Sequence, residues 1–198
     1  ENIHIYAVNI DGTNNIDLTP FENIQARITD DLEDDPNFML VALNKRNPRI
    51  HDVYRLNVNS GDMEMIAENP GNISGWMTDN NGKLRIATTS DGVNTSLLYR
   101  DNESEDFKNI LTTNFKESVS PLAFTFDNKQ LYVSSNRGRD KSAIFKFDLN
   151  TVKEGELIFE HDEVDVYRLM RSKKRKVITG VSYTTDKRQI HFFDDWRE

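Results

Sequence analysis

Four short runs, Tyr54-Arg55-Leu56, Leu98-Tyr99-Arg100, Ile144-Phe145-Lys146-Phe147 and Ile190-His191-Phe192, stand about 45 residues apart along the chain. An earlier copy, Ile5-Tyr6-Ala7-Val8, lies at nearly the same spacing. The unit behind this recurrence is clearest at residues 122–149. Leu122, Phe124 and Phe126 alternate with small or polar neighbours, a period of two that marks a half-buried strand. Asp127-Asn128 is a turn pair, because short Asx side chains tolerate left-handed backbone and bond their own main chain. Leu131-Tyr132-Val133 is a second strand, Ser134 to Gly138 a polar loop, and Ile144, Phe145 and Phe147 a third strand closed by Asp148-Leu149-Asn150.

Four short strands in a period of about 40–45 residues mark one blade of a β-propeller. One such sheet cannot bury both faces alone, and radial stacking covers each blade with its neighbour. Helical periodicity is nowhere sustained. The expected fold is therefore all-β: a partial β-propeller of about four blades, each a four-stranded antiparallel sheet.

Two strands are expected at 3–10 and 15–19, joined by the hairpin turn Asp11-Gly12-Thr13. They form a partial blade over 1–20. Full blades are expected at 26–68, 73–112 and 119–160, and a partial one at 166–198. Within 26–68 the strands read 27–32, 38–44, 53–58 and 63–67. Glu33-Asp34-Asp35-Pro36-Asn37 is an acidic turn; it lacks the glycine of a calcium loop and reads as solvated, with Asx bonding. Trp76 is assigned to the core or to packing between blades. An open arc leaves two blade faces uncovered and does not close a ring. The expectation is that the chain is excised from a longer protein, with blades before Glu1 and a catalytic domain after Glu198.

The residues of the fourth unit, from Phe126-Asp127-Asn128-Lys129-Gln130-Leu131-Tyr132-Val133 through Ser134-Ser135-Asn136-Arg137 to Ile144-Phe145-Lys146-Phe147-Asp148, resemble the WD40-like repeat of TolB-type propellers. Phe126 and Asn128 depart from that repeat's Pro and Gly, which makes the turn less typical. Leu40 to Leu56, with Glu68-Asn69-Pro70-Gly71 after it, resembles the N-terminal propeller of bacterial prolyl oligopeptidase-family serine peptidases. Tyr183-Thr184-Thr185-Asp186-Lys187, running into His191-Phe192-Phe193-Asp194, is similar to a late segment of the same propellers. The resemblance covers most of the chain. It implies an accessory, non-catalytic role: the triad would lie in a separate α/β-hydrolase domain of the same parent chain, and the propeller would admit short peptides and reject folded protein. A TolB-like propeller that binds a protein partner is the alternative. A propeller enzyme with its own channel site, a lyase or glycosidase, would need clustered histidines and carboxylates, and no clear cluster is visible.

Composition narrows the remaining classes. The 198 residues are 29% charged and 36% hydrophobic, enough for a sizeable core. No run of about 18 apolar residues offers a membrane span. With no cysteine, disulfides and thiol chemistry are excluded, which fits either the bacterial periplasm or the cytoplasm. A formal charge of −8 argues against general nucleic-acid binding.

No catalytic residue is assigned. The nearest approach to a nucleophile elbow, Gly71-Asn72-Ile73-Ser74-Gly75, has the wrong spacing and lies between two strands. His4, His51, His161 and His191 lack metal-ligand spacing, so no metal or other cofactor is expected; His51-Asp52 and His161-Asp162 read as loop histidines beside turn aspartates. Four residues are candidates for substrate access or a domain interface. Asn136 and Arg137 occupy the loop after the second strand of their blade, where the resemblance implies an arginine bonding main-chain carbonyls or a neighbouring aspartate. Arg46 and Arg49 lie in the equivalent stretch Lys45-Arg46-Asn47-Pro48-Arg49, which is read as a loop and is the better substrate-side assignment. The basic run Arg171 to Lys176 is expected at a solvated hairpin tip, and three Asn-x-Ser/Thr matches, at Asn72, Asn94 and Asn102, as chance.

Overall fold

The computed structural model describes residues 2–193; the Asp194 of the late propeller segment and the residues after it lie outside the described residues. Among the described residues there are seventeen strands and no helix. They are β1 (Tyr6–Ala7), β2 (Ile16–Asp17), β3 (Ala26–Asp30), β4 (Phe38–Asn47), β5 (Ile50–Asn57), β6 (Met63–Ala67), β7 (Ile73–Thr78), β8 (Leu84–Ser90), β9 (Thr95–Tyr99), β10 (Lys108–Thr113), β11 (Val119–Phe124), β12 (Gln130–Ser135), β13 (Ala143–Asp148), β14 (Lys153–Phe159), β15 (Val166–Ser172), β16 (Val177–Thr184) and β17 (Arg188–Phe192). Each sheet is an antiparallel meander of consecutive strands: β3 to β6, β7 to β10 and β11 to β14 with four strands each, β15 to β17 with three, β1 and β2 with two. This is the all-β partial propeller the repeat predicts.

The core is divided among the gaps between blades, because alternate side chains of one strand point to opposite faces. In β4, Val41 and Leu43 join Leu18, Ile24, Tyr54 and Leu56 against the first strands of the chain. Leu40, just before Val41, turns the other way and packs with Val53, Ala67 and Leu84 toward the next blade. Trp76 sits against that second cluster with its ring centroid 5.7 Å from that of Phe107; of the two packing roles expected, core or inter-blade, it takes the second. The largest cluster, with Ile86, Leu97, Phe124, Leu131 and Phe147, fills the gap between the blades β7–β10 and β11–β14. Ile144, Val166 and Val181 fill the last.

Three local expectations need correction. The strands expected at 3–10 and 15–19 shrink to two residues each, because Val8 and Ile10 are exposed and have no face to cover. The stretch Lys45-Arg46-Asn47 is not loop but the end of β4, with Pro48-Arg49 alone at the tip. A bulge makes this possible: pairing passes from Leu43↔Asp52 to Asn47↔Ile50, leaving extra residues on β4. Buried Asn44 holds the bulge, accepting the Gln25 N–H at 2.7 Å and donating to the Pro48 carbonyl at 3.1 Å. The third is Asn128. It adopts the left-handed conformation (φ 58°) in which the family's glycine would sit, so the turn forms as usual.

First strands surround a common central space. A cavity of about 460 Å³ is lined by Ile28 to Asp31 of β3 and the following turn, Trp76 to Thr78 of β7, Leu122 of β11, and Arg171 and Lys173 at the end of β15. The Thr78 hydroxyl donates to Asp30 across this space. Antiparallel succession then sorts the connections. One end of the channel carries the first-to-second and third-to-fourth turns of each blade, the turn end. The other carries the second-to-third turns and the links from blade to blade, the link end.

Candidate functional site

At the link end, Glu68-Asn69-Pro70-Gly71, one of the family-like stretches, is organised around a buried carboxylate. Asp52 is fully buried, and its two oxygens accept from Arg46 Nε and Nη2 at 2.9 Å each, in the bidentate geometry that suits a guanidinium. Asp52 also accepts the Asn69 N–H at 2.8 Å, while Arg46 Nη2 donates to the Asn69 carbonyl at 2.8 Å. The Asn69 side chain accepts from the N–H groups of Gly71 and Ile73 and donates to the Ile73 carbonyl. Hydrogen bonding to Asp52 and the attraction of Glu68 raise the Arg46 pKa despite some desolvation. Arg46 is thus committed to holding the link between two blades.

Beside this network lies a cavity of about 410 Å³. Arg27, Arg49 and His51 supply its charged and titratable groups, and Trp76, Ile28 and Ile50 its apolar wall. Burial first, then the neighbouring Arg27 charge, pushes the His51 pKa down, against a smaller opposing pull from Asp52. Ser74 also lines the cavity, but its hydroxyl bonds the Thr88 carbonyl at 3.1 Å, and it stands within strand β7 rather than on a strand-to-helix turn. Asp52 is engaged elsewhere, so Ser74, His51 and Asp52 share a neighbourhood without a triad's hydrogen bonds among the described residues.

Asn136 and Arg137 lie at the same end, on the blade β11–β14. Asn136 Oδ1 accepts from the N–H and hydroxyl of Ser118, and Nδ2 donates to the Lys116 carbonyl at 3.1 Å, so the side chain clamps the link into β11. Arg137 is half-buried and its N–H bonds Ser135 Oγ at 3.2 Å. The four candidates therefore share one end of the channel but divide between two blades, and Arg49 is the one that lines the cavity. Arg27 and His51 complete that cavity and were not assigned from the sequence. Arg27 sits at an exposed position of β3, where nothing in sequence separates a cavity wall from a solvated face.

The turn end is built of paired charge. Glu103 accepts the Leu84 N–H at 3.1 Å and pairs with Arg55 at 3.3 Å and Lys83 at 3.5 Å, joining two blades. Asn80 donates through its N–H and Nδ2 to Asn128 Oδ1, at 2.9 and 2.7 Å, joining the next two. The basic run forms the tip of the β15–β16 hairpin, as expected, and reaches back across the channel: Arg171 bonds Asn80 Oδ1 at 3.0 Å and Lys173 pairs with Glu33 at 3.1 Å. The acidic turn has the expected Asx bonding, with the N–H groups of Leu32 and Asn37 donating to Asp30 and Asp35. Among the described residues, no three His, Asp or Glu side chains converge as a metal ion requires.

The repeat, the meander sheets and the shared central space define a segment of a β-propeller. Solved structures agree: TolB from Acinetobacter baumannii superposes with a TM-score of 0.64 at 15% identity, over 93% of this chain and 44% of that one. A puromycin hydrolase solved in complex with PGG gives 0.64 at 13%, over 90% and 31%, and a prolyl endopeptidase 0.53 at 12%, over 96% and 28%. No family model matches the sequence. Dipeptidyl aminopeptidase BIII of Pseudoxanthomonas mexicana is 31% identical over 174 residues, 84% of this chain, and the chain spans 24% of that protein's length. The chain therefore has a propeller fold like that of TolB and resembles the propellers of prolyl oligopeptidase-family peptidases.

Proposed function

We propose that the chain is the non-catalytic propeller domain of a prolyl oligopeptidase-like serine peptidase, gating the passage of short peptides to an α/β-hydrolase domain outside it. The observation that carries this reading is the 31% identity to a dipeptidyl aminopeptidase. The channel supplies the physical means. An extended peptide needs a cross-section of about 5 by 10 Å, the spacing of strands and of packed sheets. A folded domain of about 100 residues has a radius of gyration near 13 Å, too broad for a space bounded by four first strands. In the full propeller to which these blades would belong, exclusion by size would follow from the narrowness of the central space. Acyl transfer takes place on a serine outside this chain.

The test is hydrolysis by the full-length gene product. Short chromogenic peptides should be cleaved, longer ones progressively less, and a folded protein not at all; phenylmethylsulfonyl fluoride should abolish cleavage, and the reading frame beyond Glu198 should contain Gly-x-Ser-x-Gly. A frame that ends in further blades, with no hydrolysis, removes the peptidase reading. It would leave the binding module that the superposition on TolB favours.

A further inference from the structure

We propose that the cavity at the link end, between the blades β3–β6 and β7–β10, is an anion site that takes the C-terminal carboxylate of a short peptide, with Arg27 and Arg49 as its ligands. Three observations carry this. The chain has a formal charge of −8, yet Arg27 and Arg49 line the cavity without any carboxylate beside them. The other described cavities with charged walls mix both signs. Neither arginine makes an ion pair among the described residues, whereas Arg46, Arg55, Arg85 and Arg139 are each matched to a carboxylate. His51 adds a buried Nε2 with no hydrogen-bond partner, a group that a bound acceptor would satisfy.

The nearest acid does not cancel this charge. Asp52, next to His51 in sequence, does not line the cavity, and its oxygens are bound by Arg46 and the Asn69 N–H. A guanidinium presents paired donors matched to the two oxygens of a carboxylate. The cavity volume of about 410 Å³ lies in the range of small-ligand pockets, and Trp76, Ile28 and Ile50 offer an apolar wall for the adjoining residues. The choice of a peptide over another carboxylate rests on the proposed function.

Trp76 lines the cavity and reports binding directly. The full-length gene product is titrated with N-acetyl-trialanine, its C-terminal amide and inorganic phosphate, following tryptophan fluorescence. Trp76→Phe, which should abolish the response, identifies the source. The free acid is expected to saturate the signal and the amide to bind at least about tenfold more weakly, since a charge-assisted pair is roughly twice as strong as a neutral one. Arg27→Gln and Arg49→Gln should each weaken the acid about tenfold and leave the amide unchanged; both sit at exposed positions, and an unchanged melting curve confirms that they fold. Arg49→Lys, which keeps the charge, should retain part of the affinity.

Equal binding of acid and amide overturns the proposal, as does wild-type affinity in both glutamine variants. Phosphate binding without the peptide acid assigns the cavity to phosphate and overturns it also. Acid-selective binding by a protein that cleaves no peptide sustains the carboxylate site while removing the peptidase reading, so the two failures are distinguishable.

Discussion

Asp52→Ala should loosen the link between two blades without disturbing the sheets themselves. The carboxylate is 0% exposed and accepts three hydrogen bonds, two from Arg46 and one from the Asn69 N–H. Removing it frees Arg46 at little cost, because that side chain is 37% exposed and hydrates readily. The Asn69 N–H fares worse: it stays buried and unpaired, which costs about 1–3 kcal/mol. Losing the charge-assisted bonds adds to this, for a total of about 3 kcal/mol. In a domain of this size that lowers the melting temperature by about 6–12 °C. Arg46→Gln leaves the buried carboxylate with one donor and a path for water, and should destabilise less than Asp52→Ala. The two changes break one network, so the double variant should cost less than their sum by about 1.5 kcal/mol. Urea denaturation gives the global figure. Amide hydrogen exchange at Asn69 and Ile73 gives the local one, and these amides should open before those of the β4 core. Additive effects, or a loss under about 0.5 kcal/mol for Asp52→Ala, would refute the assignment of Asp52 as the hub of this link.

Asn128→Gly should cost about 1 kcal/mol through the lost bonds to Asn80, and Asn128→Ala about 2 kcal/mol, since alanine also strains the left-handed backbone; thermal denaturation should show that order and not its reverse. Phe147→Ala, at a fully buried position, should cost about 3–5 kcal/mol, and a smaller loss in urea denaturation would mean that the gap between its blades collapses to fill the cavity. His51 has a folded pKa below its ordinary 6.5, so the unfolded chain takes up the proton first. Stability should fall as pH drops below 6.5 until folded His51 itself protonates, and His51→Gln should remove that portion; an imidazole titration at or above 6.5 by NMR would contradict it. Asp91 is held at about 2 by bonds from Asn94 and Val93, so its carboxyl resonance should titrate near there, with its stabilising contribution present above 3.8 and lost as pH falls through about 2.

How much of this is legible in sequence depends on the range over which each feature is determined. Blades are built from adjacent hairpins, so the strand pattern and turn pairs that specify them lie within a few residues, and the repeat is visible from residues 122–149 alone. The misread segments depend on distant partners. Lys45 to Asn47 looks like a loop because it follows an apolar run and precedes proline, yet Asn44 holds it in β4 by bonding Gln25, which leads into β3. Asn128 looks like a poor substitute for glycine until its side chain is seen bonding Asn80, one blade away. The cavity draws Arg27 from β3, Arg49 from a hairpin tip and Trp76 from β7, three positions that no local pattern associates. Arg49 was reachable only as a residue on a turn, and its neighbour Arg46, equally plausible by sequence, is spent on Asp52.

The two ends of the channel are chemically unequal, and this inequality bears on direction. At the turn end each cation named above faces an acceptor: Lys173 meets Glu33, Arg171 meets Asn80, and Arg55 and Lys83 share Glu103. Such partly exposed pairs add little stability singly, but Lys173 and Arg171 tie non-adjacent blades, Arg55 ties adjacent ones through Glu103, and the pairing leaves small residual charge. At the link end Arg27 and Arg49 are uncompensated, in a chain whose remaining charge repels anions. A concave wall of one sign focuses potential, so an anionic group is drawn toward the cavity lined by Arg27 and Arg49. If the carboxylate site holds, a short peptide is oriented as well as admitted: its negative end rests between the blades β3–β6 and β7–β10 and its amino end points away. Screening offers the discriminating observation. Raising ionic strength beyond about 0.15 M, where the Debye length is near 8 Å, should slow capture of acidic peptides while sparing neutral ones, because size exclusion carries no charge.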